Sequence, residues 1–219
     1  MSVATIDWRE VWERKGRAAV SSYELRTLIA LDGFDGGAGT MTPAQFRRVA
    51  RLVARTLGLG TGMRVLEVGC GAGALLSCLR ETGAKLLGID YSPTLVDHAR
   101  QAVPDATIEI AEADALPFTT DAVVCHSVFQ YFPSYSYARR VLDGFARAAP
   151  VALILDVPDL ATRAEAEAAR AAAGSKPGSH LYYPRSFFTG GSVWTSSVEG
   201  YLNAPFRFNA LMNFREPRA

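Results

Sequence analysis

At 219 residues, 49% of them hydrophobic and 21% charged, the chain suits one globular domain with a full core rather than two. A formal net charge of +1 leaves no strong field to draw in nucleic acid or anionic lipid, so the expected partner is a neutral or weakly charged small molecule. Three cysteines, Cys70, Cys78 and Cys125, lack CxxC spacing, which argues against a disulfide framework or a zinc site and fits a reducing cytoplasm.

The N-terminal stretch carries Asp7, Glu10 and Glu13 in an amphipathic pattern and reads as structure rather than as a signal peptide. No apolar run approaches the ~20 residues of a membrane span. Residues 7–31 predict two helices, the first presenting Trp8, Val11 and Trp12, the second opened by Ser21 with Glu24 as a capping box. Glycines crowd residues 32–41, which predicts a loop that serves either as a plain connection or as a lid. Thr42, Pro43 and Gln45 then signal a capped helix with Phe46, Val49, Ala50, Val53 and Leu57 on its apolar face. Arg47, Arg51 and Arg55 share the opposite face, and on a near-neutral chain a solvated surface is the better reading than a polyanion site. Residues 1–60 are thus expected to form a helical cap of the same domain, with a core over 61–219.

Residues 64–74, Arg-Val-Leu-Glu-Val-Gly-Cys-Gly-Ala-Gly-Ala, read as a buried strand, a glycine turn and the start of a helix. Gly69, Gly71 and Ala74 satisfy the loose GxGxxA dinucleotide fingerprint, with Asp90 about 20 residues on as a ribose ligand. A nicotinamide-dependent reductase therefore stands as one alternative, although the turn lies more than 60 residues into the chain and no Tyr-x-x-x-Lys pair is present. Glu67, two residues before the turn, points elsewhere. With it, the stretch resembles motif I of the class I S-adenosylmethionine (SAM) dependent methyltransferases, an acidic residue followed by GxGxG.

The resemblance implies an α/β fold, a three-layer doubly wound sheet of seven strands in the order 3-2-1-4-5-7-6 with the last strand antiparallel. It also implies SAM as cofactor and S-adenosylhomocysteine (SAH) as product. Glu67, Gly69, Cys70, Gly71 and Gly73 would cradle the methionine end, faced by the N-terminus of the helix from Ala74 to Thr82. Asp90, closing a second strand over 86–90, would accept the ribose hydroxyls, with Tyr91 and Ser92 beside the adenine. A helix over 94–102 and a strand over 108–111 lead to Asp114, which with Ala113 or Ala115 would read the adenine edge. In the following strand, backbone carbonyls near Cys125 and His126 would hold the methionine amino group. Absent here are the Pro-Pro signature of nucleic-acid amino methyltransferases and the Asp-Asp-Asn cluster of the metal-dependent catechol type, so neither nucleic acid nor a metal is expected.

Further on, the pattern predicts a helix over 139–149, a strand over 151–156, an alanine-rich helix over 160–173 broken at 175–179, and strands near 193–198 and 206–214. A sulfonium methyl is already activated, so such an enzyme mainly holds a nucleophile in line and takes a proton where one is released. His126, His180 and Tyr131 are the candidate proton acceptors, and His98 reads as a surface residue. Trp8, Trp12, Tyr131, Tyr182 and Tyr183 are candidates to wall the acceptor pocket, with Arg185 as a clamp for an anionic group. Core packing accounts for each of these aromatic residues equally well. The functional expectation is methylation of an oxygen or nitrogen on a small metabolite, as in bacterial natural-product or sugar tailoring. A non-catalytic SAM-binding protein is the third reading, and a homodimer is the commonest alternative to a monomer.

Overall fold

The computed structural model describes residues 6–175 and 180–215, so the predicted helix break lies outside the described residues beyond Ser175. A seven-stranded sheet in the order β3-β2-β1-β4-β5-β7-β6 organises the chain. Its strands are β1 (Arg64–Val68), β2 (Lys85–Asp90), β3 (Thr107–Ile110), β4 (Ala122–His126), β5 (Val151–Pro158), β6 (Gly191–Thr195) and β7 (Arg207–Asn213). The first five run parallel, and β7 enters antiparallel between β5 and β6. The order and the antiparallel last strand agree with the expectation from sequence.

The central strands are apolar at nearly every position, as strands covered on both faces must be. One face is covered by α2 (Leu25–Leu31), α3 (Pro43–Leu57), α4 (Ala74–Leu79) and α5 (Pro93–Ala102), whose Leu28, Phe46, Leu75 and Val96 pack with Val65 and Val124. On the other face α6 (Tyr135–Ala148) and the aromatic side chains Phe129, Tyr183, Phe188 and Phe208 pack on Leu66, Val123 and Ile154. The predicted cap of α3 forms as a reciprocal pair, Thr42 Oγ1 accepting from the Gln45 amide while the Gln45 side chain accepts from the Thr42 amide. Arg47, Arg51 and Arg55 are exposed, as a solvated face requires. The predicted Ser21 capping box does not form: α2 begins at Leu25, with Glu24 in the N-cap position and no side-chain cap.

Helix α1 (Trp8–Gly16) lies across the C-terminal ends of β2 and β3. Tyr91 donates to the Trp8 carbonyl, Thr94 donates to the Glu13 carbonyl, and Arg9 pairs with Glu112 while stacking on the Tyr91 ring. His98 is half-buried rather than on the surface, because its Nε2 hydrogen-bonds the Gly16 carbonyl at 2.8 Å and so ties α5 to the end of α1. Helix α7 (Arg163–Ala172) follows β5, and its alanines leave it close to the 37–39 turn, where Ser175 Oγ accepts from the Ala38 amide. Among the described residues no helix is long and apolar enough to cross a membrane.

Candidate functional site

A cavity of about 630 Å³ opens at the C-terminal ends of β1, β2, β3 and β4, beneath α1 and the end of α2. That is where parallel α/β sheets hold their ligands, since strands diverge there around the reversal of strand order. Its floor is the glycine turn. Gly69 and Gly71 take left-handed φ values of 74° and 54°, and a Cβ on Gly71 would fall 2.8 Å from the Asp32 Cγ. Both glycines line the cavity, so a ligand there can meet bare main chain.

Glu67, at the end of β1, is 3% exposed, and its Oε2 has no hydrogen-bond partner. Asp90, ending β2, accepts from the Gly71 amide at 3.0 Å and the Ser92 amide at 2.9 Å, leaving each carboxylate oxygen one more acceptor position. Asp32, just past α2, was not singled out by the sequence pattern. Its carboxylate accepts from the Ala72 amide at 2.5 Å and the Ala74 amide at 3.1 Å, binding the N-terminal segment to the turn. The expectation that the start of the helix faces the methionine end of the cofactor is corrected on this point: α4 has only six residues, and Asp32 occupies its first amide, that of Ala74.

Burial of these three acids in one cavity shapes their titration. Desolvation pushes Asp32 up to about 7 and Asp90 up to about 6, against backbone hydrogen bonds that pull each down. Burial likewise holds Glu67 well above the usual carboxylate range, and the charges of Asp32 and Asp90 add to it. A pKa raised by folding contributes stability below the unfolded value near 4 and loses it as pH climbs through the folded value. His126 and His180 act with the opposite sign, but only below their unfolded pKa of about 6.5. We therefore expect the melting temperature of the ligand-free protein to fall between pH 6.5 and pH 8, and calorimetry on Asp32→Asn to show a flatter profile. A wild-type melting temperature that rises across that window would contradict the assignment.

The rest of the cavity is aromatic. Trp8 stacks on His180 with ring centres 5.1 Å apart, and Tyr131 packs against Trp8 at 4.7 Å and Trp12 at 5.2 Å. His126 lies parallel to Phe34 at 5.3 Å and edge-on to Phe46. Burial lowers the pKa of His126 and lowers that of His180 to about 3, so both imidazoles are neutral at pH 7. Burial raises the Tyr131 phenol, which keeps its proton. Ala111, Glu112 and Ala113 at the end of β3 complete the wall with Tyr91, Phe132 and Tyr137.

The cavity thus gathers Glu67, Gly69, Cys70, Gly71, Asp90, Tyr91, Ala113, His126, Tyr131, His180, Trp8 and Trp12 from the residues singled out in sequence. Several others stand elsewhere. Gly73 serves packing, because a Cβ there would press on Ala99 and Val103 at 3.4 Å. Ser92 is buried as the cap of α5, accepting from the Leu95 amide and donating its own amide to Asp90. Asp114 and Ala115 lie off the cavity, and Arg140 of α6 holds the Asp114 carboxylate at 3.0 Å. The Cys125 side chain points into the opposite core layer. Tyr183 is wholly buried there, donating to the Phe129 carbonyl, and Tyr182 sits under Arg163 with its carbonyl held by Tyr135. Arg185 pairs with Asp159 at 2.8 Å and donates to Thr195, so it clamps β5 to β6 rather than a ligand.

Sequence reasoning passed over Phe34, Phe46, Arg9 and Glu112 because nothing in their local pattern marks them. It also missed the link between Ser127 and Asp156, two non-glycine residues with φ near 60° joined by a 2.7 Å hydrogen bond beside the cavity.

Residues 66–149 match a family model described as a methyltransferase domain. An uncharacterized methyltransferase of Synechocystis sp. is 35% identical over 71 residues, covering 32% of this chain and 34% of that protein. A ubiquinone biosynthesis O-methyltransferase of Alkalilimnicola ehrlichii is 34% identical over 89 residues, covering 37% and 36%. The chain spans about a third of the length of the curated relatives it matches. Among solved structures, the magnesium protoporphyrin IX methyltransferase of Synechocystis with bound SAM superposes with a TM-score of 0.58 at 15% identity, covering 96% of this chain and 97% of that one. A chain from the complex of a Haloferax volcanii methyltransferase with the Trm112 activator gives a TM-score of 0.66 at 17% identity, covering 98% and 100%. The fold is that of the class I SAM-dependent methyltransferases, and the matched segment contains the glycine turn, Asp90 and β4.

Proposed function

We propose, from the class I methyltransferase fold and the methyltransferase-domain segment, that this chain is a SAM-dependent enzyme methylating an oxygen or nitrogen of a small metabolite. The observation that carries the reading is the charge of the cavity. Glu67 and Asp90, buried beside a glycine turn whose amides already hold Asp32, suit a ligand with a diol and a cationic end. Asp90 suits the ribose of either kind of cofactor, but Glu67 beside the turn and Asp32 on its amides oppose a dinucleotide, whose pyrophosphate needs those amides free. The orphaned Glu67 Oε2 and the left-handed turn at Gly69 and Gly71, whose backbone lines the cavity, fit SAM.

When bound, SAM supplies a methyl group already activated by its sulfonium centre. Asp90 holds the ribose hydroxyls through its two spare acceptor positions. Ala111 and Ala113 provide the apolar wall for the adenine, and Tyr91 is fixed beside it by Arg9 and the Trp8 carbonyl. At the acceptor end Trp8, Trp12 and Tyr131 exclude water and present ring faces toward positive charge. His126 lines the cavity as a neutral imidazole and would take the acceptor's proton, a role open also to His180, while Tyr131, which keeps its own proton, would serve there as a hydrogen-bond donor. The three free cysteines support action in a reducing cytoplasm, and the small aromatic acceptor space supports a role in tailoring natural products or sugars. No metal is assigned to the step.

The test is transfer of labelled methyl from SAM to a panel of phenols, amines and sugars, with release of SAH as the second readout. Transfer to at least one acceptor, with SAH formed in equal amount, is the expected result. SAM binding without transfer to any member would move the reading to a non-catalytic SAM-binding protein.

A further inference from the structure

Asp32 has no assigned role, yet it stands in the cavity with Glu67 from β1 and Asp90 from β2. Among the residues lining the cavity, fixed positive charge comes from Arg9, and Arg9 is paired with Glu112. Lys15, the nearest lysine on α1, is paired with Asp35 at 2.6 Å. Three carboxylates are therefore gathered in one partly closed space, and among the described residues the cation whose charge reaches Asp32, Lys15, is already paired with Asp35. Such an arrangement is costly unless a ligand brings the missing charge. Glu67 adds to this: it lines the same cavity, is 3% exposed, and its Oε2 has no hydrogen-bond partner.

Asp32 is also held in one place. With its two oxygens fixed on the Ala72 and Ala74 amides, it cannot swing away without breaking both bonds, and each oxygen keeps a lone pair for a further donor. The amides it grips belong to the end of the glycine turn that floors the cavity and to the start of α4.

We propose that Asp32 is a cofactor-binding residue, a carboxylate delivered by the N-terminal segment that receives the cofactor's ammonium group together with Glu67. The inference rests on the reading of the cavity as a SAM site. It makes the end of α2 part of that site, so the segment before α3 contributes charge as well as cover.

The test is calorimetric titration of wild type, Asp32→Asn and Asp32→Glu with SAM, SAH and 5′-methylthioadenosine. The last shares the nucleoside and sulfur but lacks the amino-acid end. A charge-assisted hydrogen bond contributes about 1.5–3 kcal/mol, so Asp32→Asn should weaken SAM and SAH by roughly tenfold or more. Binding of methylthioadenosine should change by less than about twofold, the scatter allowed to an independent site. Asp32→Glu, which keeps the charge, should recover part of the loss. Equal weakening of all three ligands would show that Asp32 only props the turn, and unchanged or tighter SAM binding would show that it repels the cofactor; either overturns the proposal. If wild type binds none of the three, the SAM reading itself fails, a result separate from the fate of Asp32.

Discussion

Gly71→Val is expected to abolish binding of SAM and SAH while leaving a folded but less stable protein. The backbone at Gly71 has φ 54°, which a β-branched residue adopts only at a cost of about 1–3 kcal/mol. Space is short as well: the first added carbon would meet the Asp32 carboxylate, so the two hydrogen bonds from Ala72 and Ala74 must shift or break. Gly71 lines the cavity, so the displaced Asp32 and the new side chain would both compete there with a bound ligand. Thermal melting should report the strain, and titration should report the loss of affinity. Near-wild-type affinity in this variant would mean that the ligand does not approach the turn.

Asp90→Ala carries the second large effect. Removing the carboxylate leaves the buried Gly71 and Ser92 amides without an acceptor, at about 1–3 kcal/mol each in stability. It also removes the acceptor for two ribose hydroxyls. Hydrogen bonds to a charged group contribute about 1.5–3 kcal/mol each, so affinity for SAM should fall by about a hundredfold or more. Asp90→Asn retains the shape and one acceptor oxygen, and its loss should be intermediate. A variant that melts lower but binds SAM as tightly as wild type would assign Asp90 to holding the turn alone.

The parts of the fold that the chain's local pattern encodes were legible. Strand β1, the glycine turn and the capped helix α3 follow from apolar runs, glycines and the Thr42-Pro43-Gln45 start, all short-range signals. Strand order came from the resemblance, since periodicity says nothing about which strands are neighbours. What stayed hidden depends on long-range approach. Asp32 acts on amides 40 and 42 residues away, and no spacing rule connects α2 to the turn. Asp114 looked like a ligand contact, but Arg140 of α6, 26 residues on, pairs with it. Tyr183 and Arg185 looked like pocket residues because they follow β5. In the structure β5 continues to Pro158, and the Tyr183 amide donates to the Pro158 carbonyl, which carries that segment to the far face and, of its described residues, leaves His180 and Leu181 at the cavity. The third glycine, Gly73, illustrates the same limit, because its space is filled by Ala99 of α5 rather than by a ligand.

Parallel titration of the wild-type protein with SAM, SAH and NADPH decides whether the acidic cavity at the glycine turn is a SAM site. Both sulfur nucleosides are expected to bind at a single site in the micromolar range, roughly −8 kcal/mol, and NADPH to give no heat of binding. Binding of NADPH without the sulfur nucleosides would contradict that assignment and return the turn to the dinucleotide fingerprint that Gly69, Gly71 and Ala74 also satisfy.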